Sequence, residues 1–355
     1  MAELVGETVT TENGNQYKIM GFLGAGAFGQ IFEVQSGDNQ PLAMKIHRNI
    51  EKELHQVETD MMELVAKKAK SKNIVKMHEF GDLKNEKSTN VLCDRYIIMD
   101  LLGPSIFQVL DSEHPACFEN SDIIQIGYQV CSAMEYLESL KILHLDLKPE
   151  NICFVKIDNS VKSRRIQDQQ PIIQMENTQI RLIDFGTARR IDKRESKVNF
   201  EVQTQNYREP EVFLGLGFNE KSDVWSFGCL LSELYTGQLL FFGDERKNSE
   251  ESQLDVMQTV LRRAIPYYMY ERAFDSDSNK VELSETGISF HKFNPTPLKD
   301  IETIFTNVRI NDFIGCQLFD LILDCLEMDP EDRPKFADIS KNRFFDDVHE
   351  IVQID

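Results

Sequence analysis

The most informative stretch of the sequence is His144-Leu145-Asp146-Leu147-Lys148-Pro149-Glu150-Asn151. It places a carboxylate, a lysine and a carboxamide at the spacing that phosphoryl transfer uses. Asp146 can accept a hydroxyl proton, Lys148 can contact a phosphate, and Asn151 can bind a metal ion. Position 145, usually arginine in this pattern, is leucine, so the stretch bears on activity and on regulation separately.

The composition is that of an ordinary globular protein. The 355 residues, 41% hydrophobic and 28% charged, suffice for one large core or for two lobes. No apolar run approaches the roughly 20 residues that span a bilayer, and residues 1–12 carry no signal segment, so we expect no membrane partner. The 7 cysteines lack metal-ligand spacing, which favours reduced thiols and an intracellular location, nuclear or cytoplasmic.

The charge limits the choice of partners. A formal net charge of −20 disfavours direct binding of nucleic acid, because the phosphate backbone would be repelled. The same charge suits a basic protein partner, and it equally suits a surface whose acids only maintain solubility. Charge alone does not decide between a basic partner and a merely soluble surface. We expect the protein to be a monomer.

The hydrophobic pattern divides the chain into a strand-rich first part and a helical second part. Helices are predicted at 49–70, 222–236 and 317–326, and another after Ser121 as N-cap. Polar segments at 154–179, 243–253 and 274–299 are predicted to be surface excursions, the first of them a hairpin. Strands are predicted at 17–23, 30–35, 42–47, 75–80 and 96–100.

A glycine-rich turn, Gly24-Ala25-Gly26-Ala27-Phe28-Gly29, lies between the first two predicted strands. Glycines let the backbone approach phosphates closely, with amide N–H groups directed at them. An ordinary glycine-rich hairpin is the alternative. A dinucleotide-binding turn would need a helix next, and residues 30–35 have a strand pattern, so the sequence favours a flap that covers phosphates.

Two further polar residues interrupt apolar strands. Lys45 lies in the third strand, and a buried ammonium needs a partner, for which Glu58 on the following helix is the best candidate. The alternative is that Lys45 lies on an exposed edge. Asp184, in Asp184-Phe185-Gly186, follows the apolar run 180–183, and with Asn151 it can chelate magnesium that bridges nucleotide phosphates.

The last elements of the pattern are structural. Glu211, in Glu209-Pro210-Glu211, and Arg333 are predicted to form a buried ion pair. Asp223, at the start of the helix that contains the single tryptophan, is predicted to accept backbone hydrogen bonds from the catalytic loop.

These elements, in this order, resemble the eukaryotic protein kinases over residues 17–345. Residues 99–105 are similar to the hinge of casein kinase 1 as well, so the subfamily stays open. The resemblance is greatest to the CMGC group, and there to its Clk-like (LAMMER) and DYRK-type branches, in residues 57–64, 205–211, 222–229 and the polar insertion after Asn151.

The resemblance implies a bilobal α+β fold, with an N-lobe of antiparallel sheet and one C-helix and a mainly helical C-lobe. The implied boundaries are an N-terminal extension at 1–16, an N-lobe at 17–99, a hinge at 100–103, a C-lobe at 104–345 and a tail at 346–355.

On the phosphate side, the resemblance implies ATP and Mg²⁺. Asp146 is then the catalytic base and Lys148 contacts the γ-phosphate. Lys45 binds the α- and β-phosphates and pairs with Glu58. The flap over ATP consists of Gly24, Gly26 and Gly29, and the metal ligands are Asn151 and Asp184.

On the adenine side, Met99 is the implied gatekeeper. The Asp100 carbonyl and the Leu102 amide then read the edge of the base. Leucine is commoner where this chain has Cys153. The residues that sandwich the ring are Leu23, Ile31, Ala43 and Cys153.

Four departures from the family pattern concern regulation and substrate. Leu145 replaces an arginine that in many kinases binds an activation-loop phosphate, so we expect that control to be absent. Glu201 stands where DYRK-type kinases have an autophosphorylated tyrosine, and either substitutes for a phosphate or is a solvated loop residue. Glu209 replaces a small residue and is expected to alter the wall of the substrate groove. The LAMMER motif is absent from the comparable residues 251–258.

Two functions follow from the resemblance. The first is a protein kinase that transfers the ATP γ-phosphoryl group to Ser or Thr hydroxyls of proteins, with Tyr left open, on basic Arg/Ser-containing substrates. The second is a pseudokinase or ATP-binding scaffold with little turnover, which Leu145, Cys153 and Glu209 would support. The basic residues 162–165 are a nuclear-import candidate or a solvated loop.

Overall fold

The computed structural model has a strand-rich N-lobe and a helical C-lobe, so the predicted α+β bilobal fold is confirmed. The two lobes are connected by residues 101–105, which follow the last strand of the N-lobe. The structure describes residues 4–26, 29–47, 52–67, 73–84, 95–112, 116–156, 161–167, 170–191, 202–242, 250–275, 283–284, 287–288, 299–306, 313–346 and 348.

Six antiparallel strands and one helix, α1 (Lys52–Ala66), form the N-lobe. The five predicted strands are present. The helix predicted at 49–70 is present at 52–66, and residues 49–51 and 68–70 lie outside the described residues. A strand that was not predicted, β1, precedes residue 17 and pairs with both β2 and β5, which closes the sheet into a barrel. The strands are β1 (Thr8–Thr11), β2 (Gln16–Gly26), β3 (Gly29–Ser36), β4 (Pro41–His47), β5 (Met77–Lys84) and β6 (Arg95–Asp100).

The alternation of side chains along β4 gives the barrel two different surfaces. Leu42, Met44 and Ile46 point into the barrel, where they pack with buried residues of β2, β3 and β6. Residues 43, 45 and 47 therefore lie on the other face, toward α1 and the C-lobe. This face carries the polar side chains that the sequence marked as functional.

Polar groups at the closed seam of the barrel converge on Glu79 of β5. Thr11 donates to Glu79 Oε1 over 3.2 Å, and Tyr17 and Tyr96 donate to its carboxylate over 2.7 Å each. Burial alone would raise the pKa of Glu79, but the hydrogen bonds from Tyr96, Tyr17, Asn13 and Asn15 lower it to about 2. The carboxylate therefore stays ionised and joins β1 to the rest of the sheet.

The C-lobe is built around α5, whose fifteen residues are all buried. Its helices are α2 (Ile106–Ser112), α3 (Asn120–Leu140), α4 (Pro210–Phe213), α5 (Ser222–Thr236), α6 (Glu250–Leu261), α7 (Tyr267–Asp275), α8 (Ile301–Thr306), α9 (Phe313–Cys325) and α10 (Phe336–Ile339). Its strands are β7 (Cys117–Phe118), β8 (Ile142–Leu143), β9 (Ile152–Phe154), β10 (Val161–Gln167), β11 (Gln170–Met175), β12 (Ile180–Leu182), β13 (Arg189–Arg190), β14 (Leu283–Ser284) and β15 (Gly287–Ile288).

Two local predictions for the C-lobe have different outcomes. The predicted hairpin after residue 154 is confirmed, since β10 and β11 pair antiparallel. The prediction that Ser121 caps a helix is wrong, because Glu119 is the N-cap of α3 and Ser121 lies inside it. The side chain of Asp122 instead accepts the Met175 amide over 2.6 Å, so the start of α3 holds the hairpin.

Within the described ranges, no helix is both long and apolar enough to cross a lipid bilayer. None of the six cysteines that the structure describes forms a disulfide, and Cys93 lies outside the described residues.

Candidate active site

The start of α5 fixes the loop that contains Asp146 by hydrogen bonds to its backbone. Asp223, which is buried, accepts the His144 amide through Oδ2 and the Leu145 amide through Oδ1, each over 2.8 Å. Nε2 of His144 also lies 3.1 Å from the Ile183 carbonyl oxygen. The predicted role of Asp223 is confirmed, and its bonds fix the backbone just before Asp146.

Three polar side chains form a closed network around Asp146. Thr204 donates to Oδ1 over 2.7 Å, and Asn151 Nδ2 donates to Oδ2 over 2.8 Å. Lys148 Nζ lies 3.0 Å from Oδ2 and donates to the Thr204 hydroxyl over 2.7 Å. Thr204 was not among the predicted site residues, although its position six residues before Pro210 could have indicated a role in the site.

Lys45 links the N-lobe to the C-lobe by ionic hydrogen bonds. Its Nζ lies 2.8 Å from both carboxylate oxygens of Glu58 and 2.8 Å from Asp184 Oδ1. Lys45 is only 4% exposed, which excludes the alternative of an exposed edge. Burial would lower the pKa of Lys45, but the charges of Asp184 and Glu58 outweigh it and raise that pKa. For Asp184 the directions are opposite. Burial would raise the pKa of this carboxyl, but the charge of Lys45 outweighs burial and lowers that pKa.

A second donor to Glu58 was missed by the sequence analysis. His47 Nε2 lies 3.0 Å from Glu58 Oε2, and both side chains are buried. The signal was available, because residues two apart in a strand share a face, and His47 is two residues beyond Lys45.

The candidate adenine site lies where the interlobe connection meets β9. The Gly103 amide donates to the Phe154 carbonyl over 2.8 Å, and a β-bridge joins Ser105 to Cys153. Burial raises the pKa of Cys153 to about 12, so this thiol stays protonated. Met99 is paired with Ala43, and Asp100 with Leu42, across β4 and β6.

The flap is the β2–β3 hairpin, of which Ala27 and Phe28 lie outside the described residues. Leu23 is 45% exposed, and Gly24 next to it pairs with Ile31. Gly29 is required sterically, because its φ is +141° and a Cβ would lie 2.5 Å from the Ile46 carbonyl oxygen. Gly24 and Gly26 have open space where a side chain would stand.

Asn151 and Asp184 offer oxygen ligands suited to magnesium. The amide nitrogen of Asn151 is engaged by Asp146, so its amide oxygen is the atom left to face a cation. No group of three His, Cys, Asp or Glu among the described residues could hold a metal ion. One carboxylate and one amide oxygen fit Mg²⁺, which takes its other ligands from phosphates and water.

Leu145 lies in an apolar environment beside this polar site. It is fully buried, with a φ of 61°, and clusters with Leu143 and Val202. The partly buried residues that pack against this cluster are Ile191, Val212 and Phe218. Ile191 and Val202 flank the residues 192–201 of the activation segment, so apolar contacts connect the catalytic loop to both sides of that segment. Glu201 lies outside the described residues.

Arg333 binds two carboxylates rather than the predicted one. Its Nη2 lies 2.8 Å from Glu211, as predicted, and its Nη1 lies 2.7 Å from Glu209. Glu209 is fully buried and also accepts from Ser222, so the expectation that it forms part of the groove wall is wrong. Burial and the charge of Glu211 raise the pKa of Glu209, against the opposing effect of Arg333.

A groove of about 440 Å³ opens beside Thr204. Its lining includes the carboxylates of Asp111, Glu150 and Glu233, and none of its described lining residues is basic. The Tyr207 hydroxyl donates to Glu233, and burial raises the pKa of Glu233 to about 7.

Comparison with known proteins agrees with this geometry. A solved structure of a kinase domain superimposes with a TM-score of 0.78 at 27% identity, covering 96% of this chain and 97% of that one. This defines the molecule as a bilobal protein kinase fold. Residues 17–345 match the protein kinase domain family, and the chain belongs to that family.

Curated relatives confirm the resemblance to the Clk-like branch. The chain is 31% identical over 353 residues to the Drosophila melanogaster serine/threonine-protein kinase Doa, covering 94% of this chain and 39% of that protein. It is 30% identical over 344 residues to the Homo sapiens dual specificity protein kinase CLK4, covering 93% and 66%. The chain thus spans between about two fifths and two thirds of the length of these relatives.

Proposed function

We propose that this chain is an ATP-dependent protein kinase that phosphorylates Ser and Thr hydroxyls, and Tyr in addition. The observation that carries the proposal is the connected set of polar contacts from Glu58 through Lys45 to Asp184, beside the network around Asp146. The dual specificity of relatives such as CLK4 supports the wider choice of acceptor.

In this proposal Asp146 accepts the proton of the substrate hydroxyl. Thr204 and Asn151 each engage one of its carboxylate oxygens, and so orient it. Lys148, 3.0 Å away, keeps a positive charge where the transferred phosphoryl group would pass. The residues thus act mainly by positioning and by neutralising charge.

The nucleotide would lie between the flap and β9. Lys45 would hold its α- and β-phosphates, and Asn151 and Asp184 would hold magnesium. When bound, Mg²⁺ neutralises charge on the phosphate oxygens. The hinge groups of Asp100 and Leu102 would read the base. The ring would pack between Leu23, Ile31, Ala43 and Cys153, with Met99 behind it.

Basic protein segments are the substrates that the groove favours. Asp111 and Glu150 are exposed carboxylates in its lining, and Glu233 adds a third that ionises near neutral pH. Arginine pairs with such carboxylates by directed hydrogen bonds. The free cysteines suit a protein of the nucleus or cytoplasm.

The decisive experiment compares the protein with its Asp146→Asn variant, using labelled ATP, magnesium and an Arg/Ser-rich test protein. We expect the variant to lose about 10³-fold in kcat, since a general base contributes on that order, while calorimetry still detects ATP binding. Equal incorporation by both proteins would contradict the mechanism. No incorporation by the wild type would instead favour an ATP-binding scaffold, which nothing in the described site supports, since each expected side chain is present.

A positional peptide library tests the substrate class separately. We expect enrichment of arginine around the acceptor, and weaker enrichment in the Glu150→Gln variant. A preference for acidic flanking residues would contradict the proposed substrate class but leave the enzymatic proposal intact.

A further inference from the structure

A buried histidine from β4 shares Glu58 with Lys45. His47 Nε2 lies 3.0 Å from Glu58 Oε2, and their side chains are 0% and 1% exposed. Lys45 Nζ bonds both oxygens of the same carboxylate over 2.8 Å. Glu58 is therefore held by two donors from one strand, only one of which the nucleotide would also engage.

The protonation of His47 follows from its partners. Glu58 pairs with the Lys45 ammonium, so its carboxylate is ionised and can only accept hydrogen bonds. Nε2 of His47 must then carry the hydrogen. The other ring nitrogen, Nδ1, is buried and has no hydrogen-bond partner in the described part of the chain, so a second proton there would have no acceptor. Nε2–H is therefore the group that donates to Glu58.

A second buried histidine, His55, lies next to His47 but does not contact Glu58. His55 of α1 lies edge-on against the His47 ring, with centroids 5.1 Å apart. Nε2 of His55 lies 3.2 Å from the Tyr96 carbonyl oxygen, and its side chain is also buried. His55 thus joins α1 to β6 but makes no hydrogen bond to Glu58, which makes it a matched control.

We propose that His47 is a positioning residue for phosphoryl transfer, which keeps Glu58 in place when Lys45 turns its hydrogens to the nucleotide. An ammonium has three hydrogens, and in the structure Lys45 already divides them between Glu58 and Asp184. A phosphate oxygen would take a share from these carboxylates. His47 makes no such exchange, so it holds α1 at the position that the Lys45–Glu58 pair requires. This inference rests on the proposed kinase activity.

The test compares three variants of the whole chain. His47→Leu removes the donor, His47→Gln retains an N–H that can reach Glu58, and His55→Leu removes a buried histidine that does not contact it. We expect kcat of His47→Leu to fall about tenfold, with the KM for ATP within about twofold, because the lost bond aligns rather than binds. We expect His47→Gln to recover most of kcat, and His55→Leu to lower Tm while leaving kcat within about twofold.

Two results would overturn the inference while the wild type is active. One is an unchanged kcat in His47→Leu, and the other is an equal loss of kcat in His55→Leu, which would indicate a general structural role. If the wild type transfers no phosphate, the proposed function fails, and a double-mutant cycle in Tm decides the contact. We expect the losses of His47→Leu and Glu58→Gln to overlap in the double variant, and strictly additive losses would contradict the contact.

Discussion

Leu145 and Asp146 are adjacent in the catalytic loop, yet their side chains lie in opposite environments. Asp146 is surrounded by Thr204, Asn151 and Lys148, each within 3.0 Å. Leu145 is fully buried among apolar side chains, with Val202 in its cluster. The polar side holds the groups to which the proposed function assigns the chemistry, and the apolar side contacts the activation segment.

The contrast between Leu145 and Asp146 indicates that the control of the proposed site can change while the groups around Asp146 stay the same. An arginine at position 145 would bring a buried cation, which needs an anion such as a phosphate to be stable. Leu145 is stabilised by hydrophobic burial alone, so its contact with the activation segment forms without phosphorylation. In the proposed kinase, the replacement would alter the control of the site and leave the groups around Asp146 unchanged.

The largest effect is expected from placing a positive charge at position 145. Leu145→Arg would place a cation in the apolar cluster, and we expect the free energy of unfolding to fall by about 3 kcal/mol, measured by urea denaturation. Leu145→Met, which conserves volume, is the control and should cost under about 1.5 kcal/mol. A stable and active arginine variant would show that the cluster can accept a charge.

On the polar side, removing one hydroxyl should give a smaller effect. Thr204→Val keeps the shape of the side chain but removes the bonds to Asp146 and Lys148. We expect kcat to fall about tenfold, the rate change that corresponds to a lost hydrogen bond of ~1.4 kcal/mol. Steady-state kinetics on one peptide measures it, and Thr204→Ser should stay near wild type. Equal losses in both variants would assign the effect to packing.

In the proposed function the groove binds the substrate, and there we expect pH to have a modest effect. Burial raises the pKa of Glu233 to about 7, so its negative charge is present above that pH and is lost below it. We expect the KM for an arginine-containing peptide to rise about threefold from pH 8 to pH 6. Glu233→Gln should make the profile flat in this range, and an unchanged slope in that variant would contradict the assignment.

Phosphatase treatment should have the smallest effect. Because Leu145 contacts the activation segment without a phosphate, we expect the dephosphorylated enzyme to keep its kcat within about twofold. Mass spectrometry before and after treatment verifies that phosphate has been removed. A large loss of activity would show that some other cation of the chain depends on a phosphate.

The sequence predicted those parts of the site in which one motif needs another. Lys45 in an apolar strand requires a carboxylate, and the bond to Glu58 is present. The role of Glu209 could not be predicted, because the motif contains two carboxylates and only the fold shows that Arg333 binds both. His47 was not predicted because it ends a strand in which Lys45 was the one polar residue given a role.

The strand β1 was missed for a different reason. Residues 8–11 have no apolar alternation, and what makes them a strand is backbone pairing with β2 on one side and with β5, far along the chain, on the other. Short polar segments carry little strand signal of their own, since strand preference depends mostly on neighbours in the sheet.

The pairing of β1 with β5 has a consequence for how the N-lobe forms. Thr10 pairs with Lys84 and Thr11 with Leu83, so the barrel cannot close until the chain up to that point has been synthesised. Bringing such distant segments together costs loop entropy before any contact repays it, so we expect the pairing of β1 with β5 to form later than its local pairing with β2. A fragment cut at residue 17 would omit it altogether, leaving the edge of β5 unpaired and Glu79 without Thr11, Asn13 and Asn15. The sequence match to the family begins at residue 17, but the smallest unit that folds with a closed barrel begins before residue 8.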